Sequence, residues 1–464
     1  MNRVAHPPAK PLLLYDGDCQ FCTLWIHRWQ LATGDFVEYL PFQDPRGGAK
    51  FPEIARTQFD AAVQLVMPDG SVVGAAHAVC RSLACNPEER WLWELYHHSP
   101  AFAGVLETAY RGVARHRRFF SAVTWLLWGR HLEPPRQNLV RWLFLRGLGV
   151  IYFAAFLSLW LNLGTLAGSQ GSTSAARTLA AATQQFNAQG VGLNRYHLLP
   201  TLCWISTSDG FLSFQCGLGA ALAVLLIVGV VPAPCLFLLW LIYLSLTAAS
   251  PGPEGFQWQR LLLESGFLAI WFAPLQLGPR TPSGEASPSR LALWLLRFLL
   301  FRLLFESGLG QLLLTSGAWP QNFLDAVSLG MKLILPWAIL LPRHPRQCAA
   351  AVLVAGQLLS LPASEHPLIN LLTMLLCVTL LDDALIQSLL QKVFRRDFGL
   401  ASPSPTGPRW PLLATLSVAL LVGCACYAHA FEFIGFHMPG PEPVVAVARW
   451  LEPLRSINNY RPAP

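Results

Sequence analysis

The chain has 464 residues, 53% of them hydrophobic and only 13% charged. A soluble protein of this length would carry about a quarter charged residues, so a wholly soluble chain is excluded. The formal net charge of +7 would suggest nucleic acid in a soluble protein, but here much of the arginine flanks apolar runs, where it sets topology; no nucleic-acid partner is expected.

In chain order, Met1 to Lys10 is polar and Pro-rich, and Pro11 to Tyr15 is too short for the apolar core of a signal peptide. Leu12 to Tyr15 reads as a strand. Cys19 to about Leu31 reads as a helix, with Phe21, Leu24, Trp25 and Arg28 near helical spacing and Gly34 closing it. Phe36 to Phe42 predicts a second strand. Ala62 to Met67 and Ser71 to Val73 flank the turn signal Pro68-Asp69-Gly70. Gly74 to Cys85 begins another helix, and Pro87 to Arg130 is largely helical. This alternation predicts an α/β, thioredoxin-like domain over residues 1–137.

Residues 138–464 predict an all-α polytopic membrane domain. Apolar runs long enough to cross a bilayer recur from Leu139 onward, and a helix satisfies its own backbone hydrogen bonds there. About nine spans are expected, at 141–163, 211–231, 233–249, 257–277, 289–316, 323–342, 347–363, 366–386 and 410–434. Gly164 to Pro200 reads as a long polar loop. With a cytoplasmic N-terminus, Arg280, Arg290, Arg343, Arg346, Lys392, Arg395, Arg396 and Arg409 all fall on the cytoplasmic side, whereas the short opposite loops 250–256, 317–322 and 364–365 hold no Lys or Arg.

The stretch Asp16-Gly17-Asp18-Cys19-Gln20-Phe21-Cys22 carries the clearest chemistry. A buried strand ending in a Cys-x-x-Cys pair that opens a helix is the layout of a dithiol redox site. Only a thiolate attacks a disulfide. Cys19, at the helix start, feels the positive end of the helix dipole and reads as the nucleophile; Cys22, one turn on, reads as the resolving thiol. Asp16 and Asp18 would hold the thiols protonated by like charge, unless one accepts the proton. The plainer alternative is a buried cysteine pair with no turnover. Cys80 and Cys85 have no matching His or Cys pair for zinc, and His97-His98 reads as a surface feature. Cys203, Cys216, Cys235, Cys348, Cys377, Cys424 and Cys426 read as small buried hydrophobes. No metal site and no cofactor are expected.

The heptapeptide resembles the start of the DCC family of thiol-disulfide oxidoreductases. Asp69-Gly70, Gly74-Ala75-Ala76-His77-Ala78, Tyr110-Arg111 and Ala114-Arg115-His116-Arg117 agree with it. The resemblance covers about residues 11–131. It implies a thioredoxin-like fold with Cys19 and Cys22 as the active pair, and a protein dithiol or disulfide as partner.

Inside the spans, Arg260 and Glu264 are four apart on one helix, as are Arg302 and Glu306 on another, so each pair shares a face. Charged groups in a bilayer face the bundle interior and pair. With Gln257 and Asn370 they are read as an intramembrane polar site for a substrate, lipid head group or proton; internal ion pairs that fix packing are the alternative. Lys332, near a span, can snorkel. Phe256 to Ala269, Leu295 to Phe305 with Ser307-Gly308 and Thr315-Ser316-Gly317, Asn370-Leu371-Leu372-Thr373 with Leu380-Leu381-Asp382-Asp383, and Pro453 to Tyr460 resemble the lipase maturation factor family. In that family the membrane protein helps secreted lipases fold in the endoplasmic reticulum; bacterial members exist, often joined to a DCC module.

The leading expectation is therefore a bacterial inner-membrane protein with a cytoplasmic domain that exchanges disulfides. A non-enzymatic maturation factor for a secreted lipase or membrane client is the second reading. A transporter or membrane enzyme using the polar site, with membrane lipid as partner, is the third.

Overall fold

Leu12, Leu13 and Leu14 are all buried because the strand they form, β1 (Leu12–Tyr15), lies inside a sheet covered on both faces. Leu12 and Leu14 join Phe51, Ile54 and Phe59 on one face. Leu13 joins Ile26, Val37 and Leu65 on the other, the two-residue alternation of a strand. The computed structural model describes residues 3–45, 47, 50–86, 90–129, 136–169, 171–250, 257–282, 285–314, 323–364, 367–394, 410–434, 442–458 and 460.

The chain divides into two units, Met1–Pro134 with Pro342–His344, and Pro135–Leu341 with Pro345–Pro464. In the first, α1 (Gln20–Thr33) links β1 to β2 (Glu38–Pro41), which pair in parallel. After α2 (Arg56–Ala61), the hairpin β3 (Gln64–Val66) and β4 (Val72–Gly74) adds antiparallel to the other edge of β1, giving the order β2-β1-β3-β4. The helix α3 (Ala75–Leu83) follows. The region 87–130, predicted as largely helical, holds α4 (Arg90–His98), α5 (Pro100–Arg115) and α6 (Arg117–Trp128). Ser99 starts α5 by accepting the Phe102 N–H at 3.3 Å, with Pro100 in the first turn, where its missing N–H costs nothing.

The second unit begins with α7 (Asn138–Leu161). Its free N–H groups are capped from far along the chain: the Asp383 carboxylate accepts from Asn138 N at 2.9 Å and Val140 N at 3.0 Å. Beside this cap the buried Arg141 guanidinium lies 2.7 Å from Glu285. The stretch 164–200, predicted as a loop, instead contains α8 (Ala175–Gln189) and α9 (Arg195–Leu198); its alanines favour helix despite the low hydrophobicity. Next come α10 (Asp209–Val228), α11 (Pro232–Ala249), α12 (Gln257–Phe272) and α13 (Arg290–Leu314). Then follow α14 (Phe323–Leu333), α15 (Leu335–Ile339), α16 (Arg343–Ser360), α17 (Pro367–Val378), α18 (Asp383–Phe394), α19 (Leu412–Ile434) and α20 (Glu442–Leu451).

Of the nine expected spans, three are helices long and apolar enough to cross a membrane among the described residues: α7, α10 and α11. The pair α17 and α18, bent by 111°, would make a fourth if it acts as one span. The departures have local causes. Pro336 cannot donate to a helical carbonyl, so the 323–342 segment breaks between α14 and α15. The 366–386 segment turns after Val378, where Arg297 Nε and Arg346 Nε bond the Thr379 and Leu380 carbonyls at 2.9 and 3.0 Å. α13 carries Arg297, Arg302 and Glu306 along an otherwise apolar helix.

Candidate functional site

Cys19 is the N-cap of α1, with extended backbone angles. Its sulfur accepts the Cys22 N–H at 3.3 Å and the Cys22 S–H at 2.8 Å, so it satisfies an orphan donor at the start of α1. Both thiols are free and half-buried. Burial, the hydrogen bond to Cys19 and the neighbouring Cys19 sulfur push the Cys22 thiol up to about 12; Asp16 adds to this and Arg117 opposes it.

The two aspartates have distinct partners. Asp16 Oδ1 accepts the Asp18 N–H at 3.1 Å and the Gln43 amide at 2.8 Å, while its other oxygen lies 3.6 Å from Arg117. Asp18 Oδ2 accepts from the same Gln43 amide at 3.2 Å. Gln43 Oε1 in turn accepts the Gly17 N–H at 3.0 Å. A Cβ on Gly17 would come within 2.9 Å of the Pro41 Cβ, so only glycine lets the thiol loop lie this close to the end of β2. Gln43 was not among the sequence-predicted site residues; nothing in its local pattern distinguishes it. Arg117 figured only within a family motif.

Beside Cys22 lies a cavity of about 400 Å³ between α1, α5 and α6. Its wall is mainly apolar and aromatic, with Phe21, Trp25, Trp29, Phe120 and Trp128, and Asp16 and Arg117 mark its polar edge. The edge-on contact of Trp25 with Trp128, centroids 6.1 Å apart, places Trp128 against this pocket, whereas Trp93 stacks on Tyr96 and His97. His97 and His98 are exposed on α4. No cluster able to hold a metal ion occurs among the described residues.

The intramembrane residues do not form one site. Arg260 is exposed, and Glu264 pairs not with it but with Arg302 on α13, at 3.1 Å. Arg302 also holds Glu306 at 3.2 Å, the pairing expected from their spacing. Asn458 and Tyr460 supply further partners to this cluster. Asn458 N and Tyr460 Oη donate to Glu264 Oε2 at 3.0 and 2.6 Å, Tyr460 N donates to Glu306 Oε2 at 3.0 Å, and Arg302 donates to the Asn458 carbonyl. Glu264 and Tyr460 are buried. Among the described residues the cluster is an internal set of ion pairs and hydrogen bonds that joins α12, α13 and the segment holding Asn458 and Tyr460. Gln257 and Asn370 lie apart from it, on the wall of a separate cavity with Lys332. Lys332 Nζ donates to Gln311 Oε1 at 3.0 Å. Among the remaining cysteines, Cys348 is exposed rather than buried, and Cys426 lies 3.0 Å from an Arg302 nitrogen.

A small sheet-and-helix domain presenting a helix-capping dithiol, followed by a helical unit with membrane-length apolar helices, defines a membrane protein with a thiol module. Residues 13–122 match the family model of DCC1-like thiol-disulfide oxidoreductases, and residues 139–322 match that of the lipase maturation factor transmembrane domain. The chain is 31% identical to lipase maturation factor 2 of Gallus gallus over 54% of this chain and 39% of that protein. It is 31% identical to lipase maturation factor 2 of Homo sapiens over 61% of this chain and 45% of the relative. Lipase maturation factor 1 of Homo sapiens is 30% identical over 39% of this chain and 32% of its own length. These relatives are animal proteins, whereas the sequence reading expects a bacterial one. The chain spans less than half the length of the curated relatives it matches. No solved structure matches it.

Proposed function

We propose that this chain is a membrane-embedded maturation factor for a secreted or membrane client, and that its N-terminal dithiol exchanges disulfides with a protein partner. The similarity of residues 139–322 to the lipase maturation factor transmembrane domain supports the first part. The observation that carries the second is the Cys19 sulfur at the N-cap of α1, accepting two hydrogen bonds from Cys22.

In the proposed exchange the Cys19 thiolate attacks one sulfur of the partner disulfide. A Cys19–partner bond forms and the partner's other sulfur leaves as a thiolate. Cys22 then gives up its proton, attacks the Cys19 sulfur and releases the second partner thiol. The partner is reduced by two electrons and the Cys19–Cys22 pair is oxidised to a disulfide; the reverse sequence oxidises a partner dithiol. Asp16, which lines the same cavity as Cys22 and lies 3.6 Å from Arg117, would take the Cys22 proton. Apolar side chains beside the partner's cysteine would enter that pocket.

The sheet order β2-β1-β3-β4, with a parallel first pair and an antiparallel hairpin, supports a thioredoxin-like assignment. The arginine distribution favours a topology of about nine spans with the dithiol domain cytoplasmic. The fusion of a DCC-like module to the membrane segment supports a bacterial membrane as its location.

Trapping tests the proposal. Full-length Cys22→Ser should accumulate mixed disulfides through Cys19 that dithiothreitol releases. If a Cys19→Ser, Cys22→Ser double variant yields the same captured proteins, or no reducible adduct forms, disulfide exchange is refuted. If the trap is empty while the wild-type chain still supports secretion of a client lipase, the maturation role stands without the thiol chemistry.

A further inference from the structure

We propose that the slot bounded by α12, α13, α14, α16 and α17 binds an amphiphile with a compact anionic head, for which Lys332 is the counter-ion. This inference does not depend on the thiol chemistry. The slot encloses about 350 Å³. One part of its wall is polar: Gln257, Ser307, Gln357, Ser360, Asn370 and Lys332. The other part is apolar, with Leu303, Leu304, Met331, Leu353 and Ile369. Among the described residues, Lys332 is the one charged side chain on this wall, and no carboxylate lines it.

The lysine is held rather than left to wander. An added Cβ on Gly308 would stand 2.7 Å from the Lys332 Cβ, so α13 and α14 touch at that point and fix where the lysine stem begins. The ammonium has three protons to donate; it donates one to the neutral amide of Gln311 at 3.0 Å, and no ion pair joins it to an acid among the described residues. Enclosing a cation without an anion is costly in an apolar unit. The buried arginines have different solutions: Arg141 faces Glu285, Arg302 faces Glu264, and Arg297 and Arg346 face helix-end carbonyls.

The polar groups also occupy a suitable place. Gln257 opens α12, Ser360 closes α16 and Asn370 lies in the first turn of α17, so this part of the slot is at helix ends, where lipid head groups meet protein. Asn370 Nδ2 donates to Ser360 Oγ at 3.4 Å, leaving a long bond that a stronger acceptor would replace. A phosphate or carboxylate here would receive charge-assisted bonds from Lys332 and neutral ones from Ser307 and Asn370. Its acyl chain would lie along Leu303, Leu304 and Ile369. A free fatty acid and an anionic phospholipid both carry this chemistry.

The full chain, delipidated in a neutral detergent, would be titrated with phosphatidic acid, oleate, phosphatidylcholine and inorganic phosphate while its melting temperature is followed. A saturable rise with phosphatidic acid supports a phospholipid ligand, and one with oleate supports a fatty acid; phosphatidylcholine should give none. Lys332→Met should melt no lower than wild type without ligand and bind the anionic amphiphile at least tenfold more weakly, with Lys332→Arg restoring most of the affinity. If Lys332→Met does not fold, Ser360→Leu, which fills the slot but keeps the charge, should abolish the shift. Equal binding by wild type and these variants, or inorganic phosphate binding as tightly as the amphiphiles, would overturn the proposal.

Discussion

The most direct consequence of the dithiol geometry is a slow-reacting Cys22 thiol. The Cys22 thiol is pushed up to about 12 from an ordinary 9.0. A shift of that size leaves roughly a thousandfold less thiolate than an ordinary cysteine near pH 8, and only thiolate alkylates. In the reduced full chain pulsed with iodoacetamide at pH 8, site-resolved mass spectrometry should find Cys22 labelled about a thousandfold more slowly than the exposed Cys348, with Cys19 ahead of Cys22. Burial, the largest cause, survives a Cys19→Ser change, but the Cys19 sulfur and its hydrogen bond are removed. Cys22 should therefore react faster in Cys19→Ser, yet still more slowly than Cys348. Arg117, which opposes the shift, gives the converse test: Arg117→Ala should slow Cys22 further. Labelling of Cys22 within tenfold of Cys348, or a rate unmoved by Cys19→Ser, would refute this account of the site.

Three other outcomes follow from the same contacts. Because folding holds protons on Cys22, up to about 12, and on buried Cys80, up to about 11, the folded state binds more protons than the unfolded chain above pH 9; its stability should fall as pH rises from 9 toward 11, and a Cys22→Ser, Cys80→Ser variant should lose less over that window in thermal melts. Arg302→Met strands the Glu264 and Glu306 carboxylates and should cost about 3–5 kcal/mol, whereas Tyr460→Phe, losing a 2.6 Å bond to a carboxylate, should cost about 1.5–3 kcal/mol; both should expose the tail at Arg455 to trypsin, and unchanged cleavage would refute this account of the cluster. Asp383→Ala removes the cap on α7 and should destabilise by about 0.5–2 kcal/mol in denaturant titrations, with Asp383→Asn costing less.

What the sequence by itself determined was local. The run Leu12 to Tyr15, the Cys-x-x-Cys opening a helix, the turn at Pro68-Asp69-Gly70 and the apolar runs of α7, α10 and α11 are each written in a few neighbouring residues, because strand alternation and helix nucleation act over one or two turns. The i,i+4 rule also found Arg302 with Glu306. The same rule chose wrongly for Glu264, since a buried carboxylate takes whichever cation the packing brings to it. That cation, Arg302, is 38 residues away, and the backbone N–H of Asn458, which completes the bond set, is 194 away. The cap of α7 by Asp383, the bridge from Gln43 to both aspartates, and the placing of Lys332 on a wall with no acid among the described residues likewise depend on contacts between distant segments. Periodicity says which face of an element is buried; only the tertiary structure decides what that face meets, because the cost of burying a charge is settled by its neighbours in space and not by its neighbours in the chain.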